Sequence, residues 1–367
     1  MFPIKDILSL LCIDGIGPKT YFQLLSKFGS PRKILEADSN ELIKIPRVNQ
    51  AITKQITSHS YEKCVEIQLD WLKYSKAKIV TYWDDDYPEI LKFIFDPPIL
   101  LFYYGELSKD DKFSLAVVGN RHPDEYGKRI TKEISESIAE KKITIISGMA
   151  RGIDSIAHYS AINKNSRTIA VLGTSLDTIY PAENRSLMKK IIQNGAVISE
   201  FLIGKKMVPG NFVMRNRIIA GLSRGVVVTQ AGDKSGALIT AYNANTQNRE
   251  VFAIPGNILN SRHKGCHRLL KTGAKLVESF EDIISEFPQI QKKLEKQINW
   301  VDENAQNVQM TDVEKKIIKT LTKDAMHVDD IVFKSECSHL ETMNSLLNLE
   351  MKGYVKQLPG KYYIRSI

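Results

Sequence analysis

The chain has 367 residues, 43% hydrophobic and 25% charged, the balance of a globular protein of two or three domains. Its longest apolar runs, such as 99–104, are far too short to cross a bilayer. The first eleven residues carry Lys5 and Asp6 and no small-residue cleavage site, so no signal peptide is read and a cytoplasmic location without membrane contact is expected. Cys12, Cys64, Cys266 and Cys337 stand far apart with no CxxC, which argues against a zinc site or a disulfide framework and for isolated reduced thiols. The net charge is +9, and residues 201–280 alone hold 12 Lys or Arg against 3 Asp or Glu. A basic segment on an otherwise balanced chain points to a polyanion partner or to a solvated face.

Residues 1–69 read as helical. Apolar positions recur at Ile7, Leu8, Leu10 and Leu11, and again at Phe22, Leu24, Leu25 and Phe28. Between them Gly15, Gly17 and Pro18 break the chain and restart it. This resembles a helix-hairpin-helix (SAM-like) domain, in which such a turn offers backbone N–H groups to a phosphate. A degenerate second copy without the glycines follows at 42–48. Near-neutral charge leaves a purely structural hairpin bundle equally open.

From 70 to 285 short β-branched runs alternate with helix-like stretches. The runs are 113–118, 143–147, 168–173, 196–199, 225–229, 250–254 and 274–277, with extended pieces upstream at 78–83 and 97–103. This predicts an α/β domain with a mostly parallel sheet covered by helices on both faces, Rossmann-like in form. Residues 286–309 are polar and read as a linker. In 310–367 two periodic helices, 313–321 and 340–351, precede a short hairpin around Pro359-Gly360, a winged-helix-like pattern that grips a duplex or a protein. Ser338 with Glu341 is a weak sign of a capping box at the second helix.

Ligands of open α/β sheets bind beyond the carboxyl ends of the strands, so the turns there carry the functional reading. Gly119-Asn120-Arg121 follows the first strand, Ser147-Gly148 the second and Gly173 the third. Asn184-Arg185 comes next, then Arg215 and Arg217, then Lys234-Ser235-Gly236 after the fifth strand. Glycines permit close approach, helix starts favour anions, and Arg holds phosphate with two bonds at once. One such turn is a weak sign; four on one rim suit an extended anion. GxGxxG, GxxxxGK[ST] and GxSxG are all absent, which lowers the case for dinucleotides, P-loop nucleotides and serine hydrolysis. Asp154 and His158 share a helix face as a possible acid–base pair, but an Asp near a helix start more commonly caps it.

In their order along the chain, Val118-Gly119-Asn120-Arg121, the segment from Ser147 to Asp154, Ala170-Val171-Leu172-Gly173, the segment from Arg215 to Ala220, Lys234-Ser235-Gly236 and the segment from Phe252 to Asn257 resemble the DNA-processing protein A (DprA, or Smf) family. The resemblance implies a factor of natural transformation that binds and protects incoming single-stranded DNA, helps load the recombinase RecA, and works as a homodimer through the Rossmann-like domain. No cofactor, metal or catalysis is expected. It assigns DNA contacts to Gly119 and Arg121 and to Asn184 and Arg185. Asn120 stands where the family has Ser or Thr, and Gln230 where it often has Glu. Nucleotide hydrolases of the "lonely guy" type share the fold but need a Glu in the loop that here reads Gly232-Asp233-Lys234-Ser235-Gly236, which favours binding over catalysis. A protein-only adaptor, with the winged-helix segment as its contact, is the remaining alternative.

Overall fold

A computed structural model describes residues 2–288, 290–291, 311–322 and 325–365. The chain divides into two compact units, residues 1–287 and 288–367. The expected linker at 286–309 lies largely outside the described residues.

The first unit opens with six helices: α1 (Ile4–Leu11), α2 (Pro18–Phe28), α3 (Pro31–Leu35), α4 (Ser39–Leu42), α5 (Gln50–Thr57) and α6 (Glu62–Tyr74). Gly15 takes a left-handed φ of 96° at the first turn, and Gly17 and Pro18 start α2. The second hairpin, between α4 and α5, turns at Arg47 with φ 70°. Its helix is capped by Asn49, whose side chain accepts from the Ile52 N–H at 3.0 Å. The boundary expected at 69/70 falls inside α6. Leu8, Leu24, Ile52 and Ile56 join Leu187, Ile191 and Val197 of the sheet domain in one hydrophobic core, so the helical segment packs as a layer on the sheet domain. Gln68 of α6 fastens it further, exchanging hydrogen bonds with the backbone of Ile203 at 2.8 and 3.2 Å.

Cys12 at the end of α1 and Cys64 in the first turn of α6 form a disulfide, with Cα atoms 5.9 Å apart. This corrects the expectation of four isolated thiols. The partners are 52 residues apart, and only the folding of the helices brings them together. Cys266 and Cys337 are free.

The sheet has nine strands: β1 (Lys78–Thr81), β2 (Leu100–Gly105), β3 (Ser114–Gly119), β4 (Thr144–Ser147), β5 (Thr168–Val171), β6 (Gly195–Ser199), β7 (Gly225–Gln230), β8 (Glu250–Ala253) and β9 (Lys275–Leu276). Their order is β1-β2-β6-β5-β4-β3-β7-β8-β9. β1–β2 and β2–β6 pair antiparallel and every other neighbouring pair is parallel. The central strands are buried along their whole length except at Gly119, the last residue of β3, which is why they read as continuous apolar runs. Seven helices belong with the sheet: α7 (Glu125–Glu140), α8 (Ile153–Asn163), α9 (Arg185–Asn194), α10 (Pro209–Leu222), α11 (Ala237–Thr246), α12 (Lys264–Lys271) and α13 (Phe280–Ile284). Chain order runs outward from β3 through β4, β5 and β6, then returns to β7 on its other side. The topological switch point is therefore the crevice between β3 and β7.

The second unit holds α14 (Asp312–Thr320), β10 (Met326–His327), α15 (Val328–Ser335), α16 (His339–Met351), β11 (Val355–Leu358) and β12 (Tyr362–Arg365). Its strands pair antiparallel in the order β10-β12-β11, a winged helix. Ser338 caps α16 with Glu341 in reciprocal bonds, so Glu341 is the third helical position and the capping box is complete. The sequence reading missed α15, because the β-branched run Ile331-Val332 does not look helical.

Candidate nucleic-acid interface

A cleft of about 560 Å³ lies at the switch point. Its floor is the end of β3 and the turn after it, from Val118 to Asn120, and its walls are Arg121 and the starts of α10 and α11. The first residues of both helices line it, so the positive ends of two helix dipoles border the cleft, and Ser235 Oγ accepts from the Ala237 N–H of α11 at 3.4 Å. A Cβ on Gly119 would stand 2.7 Å from Ile153 and 2.8 Å from the Gln230 carbonyl, so only glycine lets β3 run this close to α8 and β7.

Arg121 is exposed on the cleft wall, and its guanidinium lies 5.9 Å from the ring centroid of Phe212. Among the described residues it makes no ion pair. Tyr180 stands beside Phe212 at 5.4 Å between centroids, next to a cis Tyr180–Pro181 peptide. Lys234, Ser235 and Gly236 form the opposite wall, with Lys234 exposed. Arg121, Phe212 and Lys234 thus set two cations and an aromatic face on one cleft. The sequence alone assigned neither Phe212 nor Tyr180 a role. Their signal was their position in segments leading into helices at the carboxyl ends of the strands.

Asn120 is committed elsewhere. Its side chain accepts from the Gly232 N–H at 3.2 Å and donates to the Arg262 carbonyl at 3.3 Å, which ties the turn after β3 to the turn after β7. Gln230 is a second brace. It is fully buried, donates to Asp124 at 2.8 Å, accepts from the Asp124 N–H at 3.2 Å, and meets His263 at 2.9 Å. Burial raises the Asp124 pKa, but bonds from Gly127, Gln230 and Asn260 outweigh it and hold the carboxyl below its ordinary range. A Glu at 230 would set a second carboxylate against Asp124; the neutral amide supplies a donor instead.

The turn after β4 differs from the expectation of a phosphate cradle. Ser147 is fully buried and donates to the Val117 carbonyl at 2.7 Å. The N–H groups of Gly148 and Ala150 already donate to the Asp154 carboxylate, at 3.1 and 3.3 Å. An internal anion therefore fills the cradle, and Ser147 and Gly148 offer a ligand no free polar group. Burial raises the Asp154 pKa against the opposing charge of Arg215. Arg215 is itself buried and pulled down to about 10 by desolvation. It donates to the carbonyls of Gly148, at 2.8 Å, and Val171. Arg215 lines the cleft as a fixed positive charge behind its surface.

The remaining expected residues divide. Gly173 lies under Phe212, whose ring atom would stand 2.5 Å from a Cβ there. Asn184 is buried and donates to the Met149 carbonyl at 2.8 Å and to Ser155 at 3.0 Å, so it braces the α8 turn instead of facing solvent. Arg185 is exposed at the start of α9 but is not among the cleft residues. Arg217 is a correction: it is buried and pairs with Asp96 at 3.3 Å and with Glu200, so it adds no free charge to the rim. Arg215 and Arg217 are two residues apart, about 200° around a helix, and point to opposite sides.

His158 is no acid–base partner of Asp154. It is fully buried, hydrogen-bonds Thr168 at 2.7 Å, and desolvation with the nearby Arg215 charge lowers its pKa to about 3. Among the described residues no cluster of His, Cys, Asp or Glu could hold a metal ion, and no helix is long and apolar enough to cross a membrane.

Comparison with known proteins matches three family models: DNA recombination-mediator protein A over residues 78–288, the DprA winged helix domain over 302–361, and the SAM-like helix-hairpin-helix tandem over 7–59. Protein Smf of Synechocystis is 38% identical over 96% of each chain. The DNA processing protein DprA of Streptococcus pneumoniae is 42% identical over 59% of this chain and 76% of its own. The X-ray structure of the pneumococcal protein superposes with a TM-score of 0.67 at 34% identity, covering 78% of this chain and 99% of that one. DNA processing protein A of Helicobacter pylori, solved for its single-stranded DNA binding mode, gives 0.53 at 29% identity, covering 59% and 97%. With its central domain, its flanking domains and nearly its whole length matched, the chain belongs to the DNA processing protein A (Smf) family.

Proposed function

We propose that this protein binds single-stranded DNA without catalysis, holding it in the cleft between β3 and β7, and that it passes the strand to RecA during DNA uptake. The observation that carries the reading is Arg121: an exposed guanidinium without a carboxylate partner among the described residues, on a cleft bordered by the starts of α10 and α11 and beside the Phe212 ring. Phosphates meet Arg121, Lys234 and the helix ends, while a base stacks on Phe212. Such contacts ignore base identity, so binding is tolerant of sequence and sensitive to salt. The Helicobacter relative, solved for its single-stranded DNA binding mode, supports the choice of ligand. Work as a homodimer in the cytoplasm belongs to the same proposal and rests on the family alone.

The test is a titration of a fluorescent oligonucleotide over a range of salt, with wild type and Arg121→Ala. Loss of one phosphate contact weakens binding and reduces the slope of log K against log salt by about 0.7. Unchanged affinity in the variant removes the central claim, and equal affinity for duplex removes the preference for single strands.

A further inference from the structure

A second cavity, of about 500 Å³, opens at the other end of the same strands. Arg224 and Arg249, which line it, immediately precede β7 and β8, and Lys109 and Lys112 precede β3. The cavity therefore lies at the amino ends of the strands, whereas the cleft lies at their carboxyl ends.

Its chemistry is that of an amphipathic anion site. Ile146, Ile169 and Leu222 form an apolar floor, and Phe93 stands over the wall with 77% of its surface exposed. Arg249 donates to the Ile90 carbonyl at 3.0 Å, and Arg224 to the Lys112 carbonyl at 3.4 Å. Neither guanidinium pairs with a carboxylate among the described residues. The Nε of Arg249 is buried with no partner among the described residues, so this guanidinium is only partly satisfied by the fold. Burial, and then the charge of Arg224, lower the Arg249 pKa, and an anion between the two guanidinium groups offsets their mutual repulsion. Asp111, one of the lining carboxylates, is already held by Arg167 through bonds of 2.9 and 2.8 Å. Asp85, Asp86 and Glu89 line the wall as well, and their charge disfavours a chain of phosphates.

We propose that this cavity binds a nucleoside monophosphate, its phosphate on Arg249 and Arg224 and its base against Phe93. One anionic group sits between the two guanidinium groups that no carboxylate neutralises, the apolar floor takes the sugar and base, and the carboxylates exclude a polyphosphate or a DNA strand. The volume lies within the range of about 300–1,000 Å³ usual for small-molecule sites. The site is separate from the DNA cleft and does not depend on the function proposed for it.

The test is calorimetric titration of the full chain with thymidine monophosphate, thymidine and inorganic phosphate. The monophosphate is expected to bind more tightly than either fragment. Arg249→Gln and Phe93→Ala should each weaken it about tenfold or more, while Arg121→Ala leaves it unchanged. Phe93→Ala alters an exposed side chain and keeps the test valid if Arg249→Gln fails to fold. Absence of binding, equal binding of inorganic phosphate, or loss of binding in Arg121→Ala with retention in Phe93→Ala would each overturn the proposal.

Discussion

A Cβ placed on Gly148 would stand 2.5 Å from Nη1 of Arg215, and that same nitrogen donates to the Gly148 carbonyl at 2.8 Å. The buried guanidinium and the glycine turn thus define each other, with Asp154 holding the N–H side of the turn. Arg215→Met removes the counter-charge of a buried carboxylate and leaves two carbonyls short of a donor, at an expected cost of about 3–5 kcal/mol. Adding Asp154→Asn should return part of that loss, since the two charges act on each other. Urea unfolding of the four members of this cycle measures it. Full additivity of the two substitutions would show that the charges do not interact.

In the proposed site Phe212 is the stacking surface. It covers Gly173, flanks Tyr180 and lies below Arg121. Phe212→Ala should weaken oligonucleotide binding by about 1–3 kcal/mol, the worth of one stacked base. Unlike Arg121→Ala it should leave the salt slope unchanged, because no phosphate contact is lost. Anisotropy titrations at several salt concentrations separate the two variants; a reduced slope in Phe212→Ala would assign the ring a different role.

The sheet and its order of motifs were legible in the sequence because buried parallel strands must be apolar on both faces, and the runs from 113 to 277 show that directly. Gly119, Arg121 and Lys234 were legible as a glycine turn and two basic residues placed after strands. Their neighbours were harder to read. An Asn, Ser or Asp beside a glycine turn looks the same whether it meets a ligand or braces the fold, and Ser147, Asn184 and Asp154 brace the fold. Charge counting overstated the rim, since Arg215 and Arg217 are buried and Arg217 is paired. The two-residue spacing on a helix did separate their directions, and could have been used. The second cavity could not be read, because Lys112, Arg224 and Arg249 meet only through the crossover connections of the sheet.

His158 sets one arm of the acid response. Its folded pKa of about 3 lies below the ordinary 6.5. Above pH 6.5 both folded and unfolded states hold it neutral and its contribution is complete. As pH falls from 6.5 towards 3 only the unfolded chain takes up the proton, and stability is lost by up to about 1.4 kcal/mol per pH unit. Asp154 and Glu200 act in the opposite sense, since burial raises both pKa values and the folded state binds their protons first. The informative quantity is therefore the difference between wild type and His158→Asn. The variant should show a flatter loss of stability between pH 6.5 and 4, and an identical slope would remove His158 from the account.

The disulfide gives the last expectation. Cys12 and Cys64 close a segment of 52 residues, and a bridge over a loop of this length restricts the unfolded chain by about 3–5 kcal/mol in the chain-entropy account. The effect should reach beyond the helices it joins, because Leu8, Leu24 and Ile56 share one core with Leu187 and Val197. Reductant is therefore expected to lower the unfolding midpoint of the whole first unit. Cys266 is a poor alternative target: it is buried, and desolvation raises its thiol to about 11, so little reactive thiolate forms. Unfolding with and without reductant, in wild type and in the Cys12→Ser, Cys64→Ser double variant, checks this. The double variant should match the reduced protein and ignore reductant. Oligonucleotide affinity should stay constant across all four samples, since the cleft is built from β3, α10 and α11. A midpoint that reductant does not move would mean that the bridge adds nothing to the stability of the folded chain.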